Sequence, residues 1–243
     1  MANRQGKRPD AEEILRRIPR DEGDLFRGAS AWALDVPGWR RSVREELTET
    51  ADRKLRRTVW DDPRDGSTRI LVDVVECASA AGAVQALLDR LEWNQLAEVP
   101  AGPEGLGVAS FAHPEGVPPA VFFARANLCV SVASFARRAA AVVPVASAID
   151  RRLVAVPSSG GPSIGVEMGP GPRAPGGPAE LRVIVPFELG EEGHLRYRAR
   201  GGTLEIRADK VVVIPVAGAQ VQVDVFAEEP GRPAAAGRMI LPQ

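Results

Sequence analysis

Residues 69–92 read RILVDVVECASAAGAVQALLDRLE, and this stretch joins a strand pattern directly to a helix pattern. Residues 69–76 are nearly continuous in aliphatic and β-branched side chains, which is typical of a buried strand. Ser79 is a suitable N-cap, and residues 80–92 repeat apolar side chains on one helical face. The stretch therefore predicts that the first part of the chain combines a β-sheet with helices.

The sequence on both sides of this stretch extends the same domain. Apolar residues spaced by four from Val145 to Leu153 predict a second helix, with Pro144 in its first turn. Further strands are predicted from β-branched residues and alternation, at residues 42–50, 54–61, 107–111, 120–125 and 128–135. The first two have a helical alternative, because Val43, Leu47, Ala51 and Leu55 recur every four residues. We therefore expect an α+β domain over residues 29–155, in which two helices cover a mainly antiparallel sheet.

The composition of the chain changes after this domain. Residues 156–178 contain six prolines and seven glycines, so we place a Pro/Gly linker at residues 156–162. From residue 179 onwards, apolar and polar side chains alternate in short runs between turn residues, which predicts a small β-sandwich at residues 163–243. Residues 1–28 are mostly polar and charged, and we expect them to form a flexible N-terminal arm.

Three motifs of the second domain carry a family resemblance. They begin at Tyr197 (YRARGGTL), Val211 (VVVIP) and Ala217 (AGAQVQVDVFA). Through these motifs the domain resembles bacterial immunoglobulin-like domains of the PKD type. The resemblance implies an immunoglobulin-like β-sandwich. It also implies a spacer or adhesion module outside the cytoplasm, although a fold alone does not determine a function.

Three stretches of the first domain carry a second resemblance. They begin at Glu76 (ECASAAGAV), Phe123 (FARANLCVSV) and Val145 (VASAIDRRL), and they are similar to an uncharacterised family of exported bacterial proteins. Ala126 stands where that family often has glycine. The similarity implies no residue roles.

The overall composition indicates an ordinary core and little net charge. Apolar residues make up 44% of the chain, charged residues make up 26%, and the formal net charge is −1. This balance gives no electrostatic field that would attract nucleic acid, so no nucleic-acid partner is expected.

No apolar stretch approaches the length of a transmembrane helix, and the polar N-terminus contains no signal peptide as written. We expect a periplasmic or extracellular location if a leader has been removed, and a cytoplasmic location otherwise.

Cys77 and Cys129 are the only cysteines, and the sequence leaves three interpretations of them open. They are buried free thiols, since cysteine is among the most buried residue types, or they form a disulfide between neighbouring strands in an oxidising compartment. A metal site would also need His113 and His194, but the spacing of these four residues matches no zinc motif. We therefore expect no metal and no cofactor.

The search for catalytic motifs leads to no catalytic residue. Neither histidine belongs to a nucleophile motif, and no glycine-rich loop connects a strand to a helix. Residues 61–66 read DDPRDG and predict a turn, because Asp, Pro and Gly each favour turn conformations. Three aspartates in this segment also suggest a calcium loop, but their spacing is not that of an EF-hand.

Arginine and tryptophan side chains supply a candidate interaction surface. Four arginines of the second domain could form a stripe on one face of the sandwich, where they would bind an acidic protein surface or polymer. The alternative for these arginines is a solvated face held by salt bridges. Two tryptophans border charged segments and suit a binding surface, with a place in the core as the alternative. The candidate residues are Arg196, Arg198, Arg200, Arg207, Trp39 and Trp93.

Taken together, the sequence favours a non-catalytic bacterial envelope protein that acts through protein–protein or surface contacts. Its partner would be another protein or a component of the cell envelope. The alternative is a small-molecule-binding protein that holds its ligand in the first domain. A hydrolase that uses unpaired carboxylates is a third hypothesis. The sequence does not predict an oligomeric state.

Overall fold

The computed structural model describes most of the chain, and its strands and helices form two compact units. The first unit contains the described part of Ala33–Val154, and the second contains the described parts of Arg20–Trp32 and Ala155–Gln243. The described residues form mainly antiparallel sheets accompanied by two helices, which agrees with the predicted α+β class. These described residues are 25–27, 36, 38–41, 46–50, 53–94, 100–135, 138–154, 162–169, 176–190, 193–207, 210–228 and 235–242.

An antiparallel sheet forms the centre of the first unit. The first described strand of the chain, β1 (Leu25–Arg27), belongs to the second unit and is treated with it. The strands of the first unit are β2 (Arg40–Arg41), β3 (Glu46–Glu49), β4 (Arg53–Asp62), β5 (Asp65–Cys77), β6 (Ala109–Ala112), β7 (Ala120–Arg125) and β8 (Leu128–Ser134). Their order in the sheet is β2-β4-β5-β8-β7-β6, and β3 also pairs with β4.

Two helices accompany this sheet, α1 (Ala80–Trp93) and α2 (Val142–Val154). The helix α1 begins after Ser79, whose Oγ accepts a hydrogen bond from the backbone N–H of Gly82 at 3.1 Å. This bond satisfies one of the N–H groups that the first turn of a helix leaves without a partner. The predicted helix and its N-cap are therefore present.

The helices cover opposite faces of the sheet. Ala124 of β7 belongs to the core cluster that also contains the buried side chains of α1. Arg125 is the next residue of β7 and points to the other face, where it forms an ion pair with Asp150 of α2. The sheet is therefore the middle layer between two helices.

A tight turn connects β7 to β8. Arg125 pairs with Leu128, which leaves Ala126 and Asn127 in the turn. Ala126 has a φ of +49°, in the left-handed region that favours glycine. The side chain of Asn127 donates a hydrogen bond to the Cys77 carbonyl at 2.8 Å and holds this turn against β5.

The second unit contains two four-stranded antiparallel sheets. Its strands besides β1 are β9 (Gly165–Met168), β10 (Ala179–Ile184), β11 (His194–Arg200), β12 (Gly202–Arg207), β13 (Lys210–Pro215), β14 (Gln222–Glu228) and β15 (Ala235–Ile240). One sheet has the order β1-β11-β14-β15, and the other has the order β12-β13-β10-β9. Both sheets contribute to one buried cluster, which includes Tyr197, Val223, Val225, Leu181, Leu204 and Val213.

The strand β1 lies in the segment for which the sequence predicts a flexible arm. Leu25–Arg27 pairs with β11, with Phe26 opposite Arg198, and Phe26 is fully buried. Three residues are too few to show an alternating pattern, so this strand has no signal in the sequence. The rest of the predicted arm lies outside the described residues, and so does the predicted linker except for Pro162.

Candidate functional site

A cleft of about 420 Å³ opens in the first unit, beside the turn that joins β4 to β5. Its lining combines an aromatic ring, several polar side chains and a wall of small apolar groups. The ring belongs to Trp39, and the polar side chains are Asp62, Asp65, Thr68 and Arg138. The apolar wall consists of Ala139, Ala140, Ala141, Pro144 and Val145. We call this site the Trp39 cleft.

Trp39 reaches the cleft because a tight turn precedes it. Its backbone N–H donates a hydrogen bond to the Val36 carbonyl at 3.0 Å. Gly38 inside this turn has a φ of +81°, which a residue with a side chain rarely adopts. The strand β2 then pairs with β4, with Arg40 opposite Asp61. Trp39, which precedes Arg40, is half-buried and lines the cleft together with Asp62.

Asp65 is the carboxylate of the cleft whose oxygens already have protein partners. Its Oδ1 accepts hydrogen bonds from the backbone N–H and the hydroxyl of Ser67, at 3.0 and 2.6 Å. Its Oδ2 accepts hydrogen bonds from Thr68 Oγ1 at 2.9 Å and from Arg138 at 3.2 Å. The hydrogen bonds from Ser67 and Thr68 lower the pKa of Asp65 from 3.8 to about 2. Asp65 is therefore ionised at physiological pH, and Arg138 balances its charge.

Asp62 lies opposite Asp65 across the turn and has a different environment. Its Oδ1 accepts a hydrogen bond from the backbone N–H of Arg64 at 2.8 Å. Within the described residues this is the only hydrogen bond of the Asp62 side chain, which leaves Oδ2 available to a ligand. The turn predicted at residues 61–66 is present, and the described residues contain no group of three His, Cys, Asp or Glu that could hold a metal ion.

The segment before α2 forms the opposite side of the cleft. Arg138 forms an isolated β-bridge with Thr68, and the backbone N–H of Ala140 donates a hydrogen bond to Ser134 Oγ at 2.9 Å. These contacts hold the alanines of the apolar wall beside the β4–β5 turn. Sequence reasoning missed Arg138, because nothing in its neighbourhood has a regular spacing or a motif.

The arginines of the candidate interaction surface lie in the second unit, and two of them are buried. Arg196 and Arg198 of β11 are each 2% exposed, so they do not form the exposed stripe that the sequence predicts. The guanidinium of Arg196 lies 4.0 Å from the centre of the Phe226 ring, which is a cation–π contact. Arg200 is exposed. Arg207 belongs to β12, and its side chain is outside the described part of the structure.

Asp224 explains the burial of Arg198. The Asp224 carboxylate accepts hydrogen bonds from Arg198 at 2.6 and 3.1 Å and from Arg238 at 2.6 Å, and Gln222 adds two longer ones at 3.3 Å. Burial raises the pKa of Asp224, but the hydrogen bonds from Arg238 and Arg198 lower it by more and hold the pKa below its usual range. The carboxylate is therefore ionised and structural.

The two candidate tryptophans lie on different elements of the first unit. Trp93 is the last residue of α1 and is 83% exposed, whereas Trp39 lines the cleft. For comparison, Trp60 is a core residue whose indole N–H donates a hydrogen bond to Thr58 Oγ1 at 2.8 Å. Of the six candidate residues, Trp39 is the one that lines the cleft described above.

Cys77 and Cys129 are free thiols in the structure, and both are buried. Cys129 pairs with Val75 of β5, and Cys77 lies two residues further along the same face of that strand. The predicted alternative of a disulfide is therefore not formed. Burial raises the pKa of the Cys129 thiol to about 12, so this side chain is neutral and unreactive.

Asp61, Asp73 and Asp150 are buried in the first unit, and arginines neutralise all three, with Arg69 as the partner of Asp61. Asp73 of β5 accepts hydrogen bonds from Arg57 at 2.9 and 3.0 Å, and also from Arg90 of α1. Asp150 of α2 accepts hydrogen bonds from Arg125 at 2.8 and 2.6 Å. Buried carboxylates require such partners, because an isolated buried charge is very costly. These ion pairs belong to the interior of the fold. Within the described residues, Asp62 has no arginine partner of this kind.

Comparison with known proteins gives no match: no protein-family model, no curated protein and no solved structure matches this chain. None of the described helices is both long and apolar enough to cross a membrane. The function of the chain therefore has to be inferred from its own residues, and the Trp39 cleft is the site where they offer the clearest chemistry.

Proposed function

We propose that the protein is a binding protein and that its Trp39 cleft holds a small organic molecule. The observation that carries this proposal is the size and lining of the cleft. Its volume of about 420 Å³ falls within the range of roughly 300–1,000 Å³ that is usual for ligand pockets. An aromatic ring, a carboxylate with an available oxygen and an apolar wall line the same space. Ligand pockets usually combine apolar walls with a few polar groups in this way.

Because two of the arginines are buried, binding of a small molecule in the cleft is favoured over binding of an acidic partner by the predicted arginine stripe. An exposed row of charges would attract an acidic partner, but Arg196 and Arg198 are each only 2% exposed. Arg198 is also engaged by Asp224 inside the fold. The cleft, in contrast, is open and its Asp62 carboxylate has an oxygen to offer.

Thermal unfolding of the full-length protein in the presence of a library of small organic molecules tests the proposal. A molecule present at one hundred times its Kd raises the free energy of unfolding by about 2.7 kcal/mol. Ala139→Trp, which fills the cleft from its exposed wall, should abolish this stabilisation. Trp93→Ala, which removes an exposed tryptophan outside the cleft, should leave it unchanged. No stabilisation by any molecule, or stabilisation that survives in the Ala139→Trp variant, would contradict the proposal.

We also propose that the second unit is an immunoglobulin-like β-sandwich. The strand order supports this proposal. If β9 to β15 are named A to G in chain order, the sheet β9-β10-β13-β12 has the order ABED, and β11-β14-β15 has the order CFG. This arrangement is the one found in immunoglobulin constant-type domains. The strand β1 is then an addition beside strand C.

A second candidate function is a contact module in the bacterial envelope, with another protein or an envelope component as partner. The ABED and CFG strand orders favour it, because the immunoglobulin-like domains that the second unit resembles usually serve as spacers or adhesion modules outside the cytoplasm. The exposed Trp93 and Arg200 would then be contact residues. Cell fractionation and cross-linking in the native host test this function. A stoichiometric envelope partner would support it, and recovery of the protein alone from the cytosol would contradict it.

A further inference from the structure

We propose that the Trp39 cleft selects an organic cation, which is a molecule that carries an ammonium or guanidinium group on an apolar body. This inference rests on the proposed binding function and specifies the chemistry of the ligand. In the complex, the cationic group lies between the ring of Trp39 and Oδ2 of Asp62. The apolar body lies along the wall that contains Ala139 and Ala140.

The charged side chains that line the cleft are Asp62, Asp65 and Arg138. Asp65 and Arg138 pair at 3.2 Å and balance each other, whereas Asp62 has no basic partner within the described residues. The N-terminus of α2 contributes roughly half a positive charge to the same region. Pro144 in its first turn has no N–H and so removes one of the groups with which this helix end would bind an anion. Among the described residues that line the cleft the sum is therefore negative, which favours a cationic ligand.

Asp62 is also an exception among the aspartates of the described residues. Each of the others accepts a hydrogen bond from at least one arginine: Asp61 from Arg69, Asp65 from Arg138, Asp73 from Arg57 and Arg90, Asp89 from Arg53, Asp150 from Arg125, and Asp224 from Arg198 and Arg238. Within the described part of the chain, Asp62 has no such partner, although it is half-buried. A cation attracts a partly buried carboxylate more strongly than a fully solvated one, so the position that an arginine takes beside the other aspartates can be taken here by a cationic group of a ligand.

An aromatic residue lines the same cleft as this carboxylate. Trp39 and Asp62 are both lining residues, and the strand pair β2–β4 joins their chain neighbours Arg40 and Asp61. Tryptophan provides the best aromatic surface for a cation, which is attracted to the face of the ring. A neutral ligand can pack on the ring and donate a hydrogen bond to the carboxylate, but it lacks the electrostatic attraction that a cation has to both, and an anion would be repelled by the carboxylate. Cation selectivity therefore follows from the pair and not from either residue alone.

Three probes with one phenyl body and different head groups test the proposal: 2-phenylethylamine, 2-phenylethanol and 3-phenylpropionate. Each is titrated into the full-length, nitrogen-15-labelled protein. The readout is the NMR signal of the Trp39 indole N–H, assigned by its loss in Trp39→Phe. We expect the amine to shift this signal with a Kd about tenfold lower than that of the alcohol, and the carboxylate to bind more weakly than both.

Two variants distinguish a direct contact between the amine and the Asp62 carboxylate from a general effect of the net charge of the protein. Asp62→Asn keeps an oxygen for the N–H of Arg64 but removes the charge. We therefore expect it to raise the Kd of the amine about tenfold and to leave the Kd of the alcohol unchanged. Asp89→Asn on the exposed face of α1 is the matched control, because it removes the same charge away from the cleft. The amine should bind this control as it binds the wild type.

The outcomes distinguish failure of the inference from failure of the proposed function. Equal binding of the amine and the alcohol, or an unchanged amine Kd in Asp62→Asn, would contradict cation selectivity while the cleft still binds a ligand. Tighter binding of 3-phenylpropionate would contradict it in the same way. No shift of the Trp39 signal by any probe up to millimolar concentration would contradict the binding function itself, because the phenyl body fits the apolar wall.

Discussion

Arg198 and Asp224 face each other across β11 and β14, and Nη2 of Arg198 lies 2.6 Å from Oδ2 of Asp224. Their side chains are only 2% and 1% exposed. Arg238 of β15 binds the other oxygen of Asp224 at 2.6 Å, so one carboxylate links three neighbouring strands. An arginine that looks exposed in the alternating pattern of β11 is therefore an internal part of the second unit.

Replacing Asp224 with Asn should destabilise the protein by about 3–5 kcal/mol, because the variant leaves the charge of Arg198 buried without its partner. Urea unfolding measures this loss. Asp89→Asn is the matched control, since its ion pair with Arg53 is largely exposed and should contribute no more than about 1 kcal/mol. A loss in Asp224→Asn no greater than in the control would show that the three-strand ion pair does not stabilise the fold.

Asp65 should make stability depend on pH in the acid range. Its folded-state pKa is lowered from 3.8 to about 2, so the unfolded state binds more protons between these two values. The stabilising contribution is therefore fully present above the unfolded pKa and is lost as the pH falls through the folded pKa. We expect the difference in unfolding free energy between wild type and Asp65→Asn to stay constant near neutral pH and to shrink as the pH falls from about 4 towards 2. A difference that is independent of pH would contradict this.

Ala126→Gly should stabilise the protein. Ala126 has a φ of +49°, and the left-handed conformation costs a residue with a side chain roughly 1–2 kcal/mol. Glycine avoids this strain but gains about 0.5–1 kcal/mol of freedom in the unfolded chain, so we expect a net gain of about 0.5–1 kcal/mol. Gly116→Ala provides the reverse case, because Gly116 has a φ of +85° and open space around it. Gly116→Ala should destabilise the protein. A change of the unfolding free energy in the same direction in both variants would contradict this explanation.

Phe26→Ala should destabilise the second unit although Phe26 lies near the start of the chain. Phe26 is fully buried on β1, and truncation of a buried phenylalanine usually costs about 3–5 kcal/mol. Hydrogen exchange of the amides in β11 reports the effect locally. Phe26→Leu is the conservative control and should cost less. Unchanged protection of β11 in Phe26→Ala would mean that β1 does not belong to this sheet in solution.

The two cysteines should react as buried free thiols. Ellman's reagent should label neither Cys77 nor Cys129 in the native protein, because both are buried. It should label both after unfolding in urea without a reductant. Protein purified under oxidising conditions that shows no reactive thiol after unfolding would instead contain the disulfide.

The sequence predicts those parts of the fold that depend on local patterns. The continuous apolar run before Ser79 predicts β5, and the helical spacing after it predicts α1, because one short segment contains the whole signal. The turn at residues 61–66 also follows from nearby residues. These elements are decided by periodicity, capping and turn chemistry, which act over a few residues.

Other features depend on partners that are distant in the sequence. The sequence predicts that Arg196 and Arg198 are exposed, because charged residues usually are. They are buried because Phe226 and Asp224 on the neighbouring strand offer them a cation–π contact and an ion pair. The strand β1 pairs with β11, although the residues of the first unit lie between these two strands in the sequence. Likewise, Arg138 joins the cleft through a contact with Asp65, and no local pattern marks such a contact.

Titration of 2-phenylethylamine against the Trp39 indole N–H signal, in the wild type and in Asp62→Asn, is the decisive test of cation binding in the Trp39 cleft. We expect a saturable shift in the wild type and a Kd about tenfold higher in the variant, because the cation loses its carboxylate partner. A Kd that is the same in both proteins would contradict the selection of a cation by Trp39 and Asp62. The absence of any shift in the wild type would contradict a binding function of the Trp39 cleft.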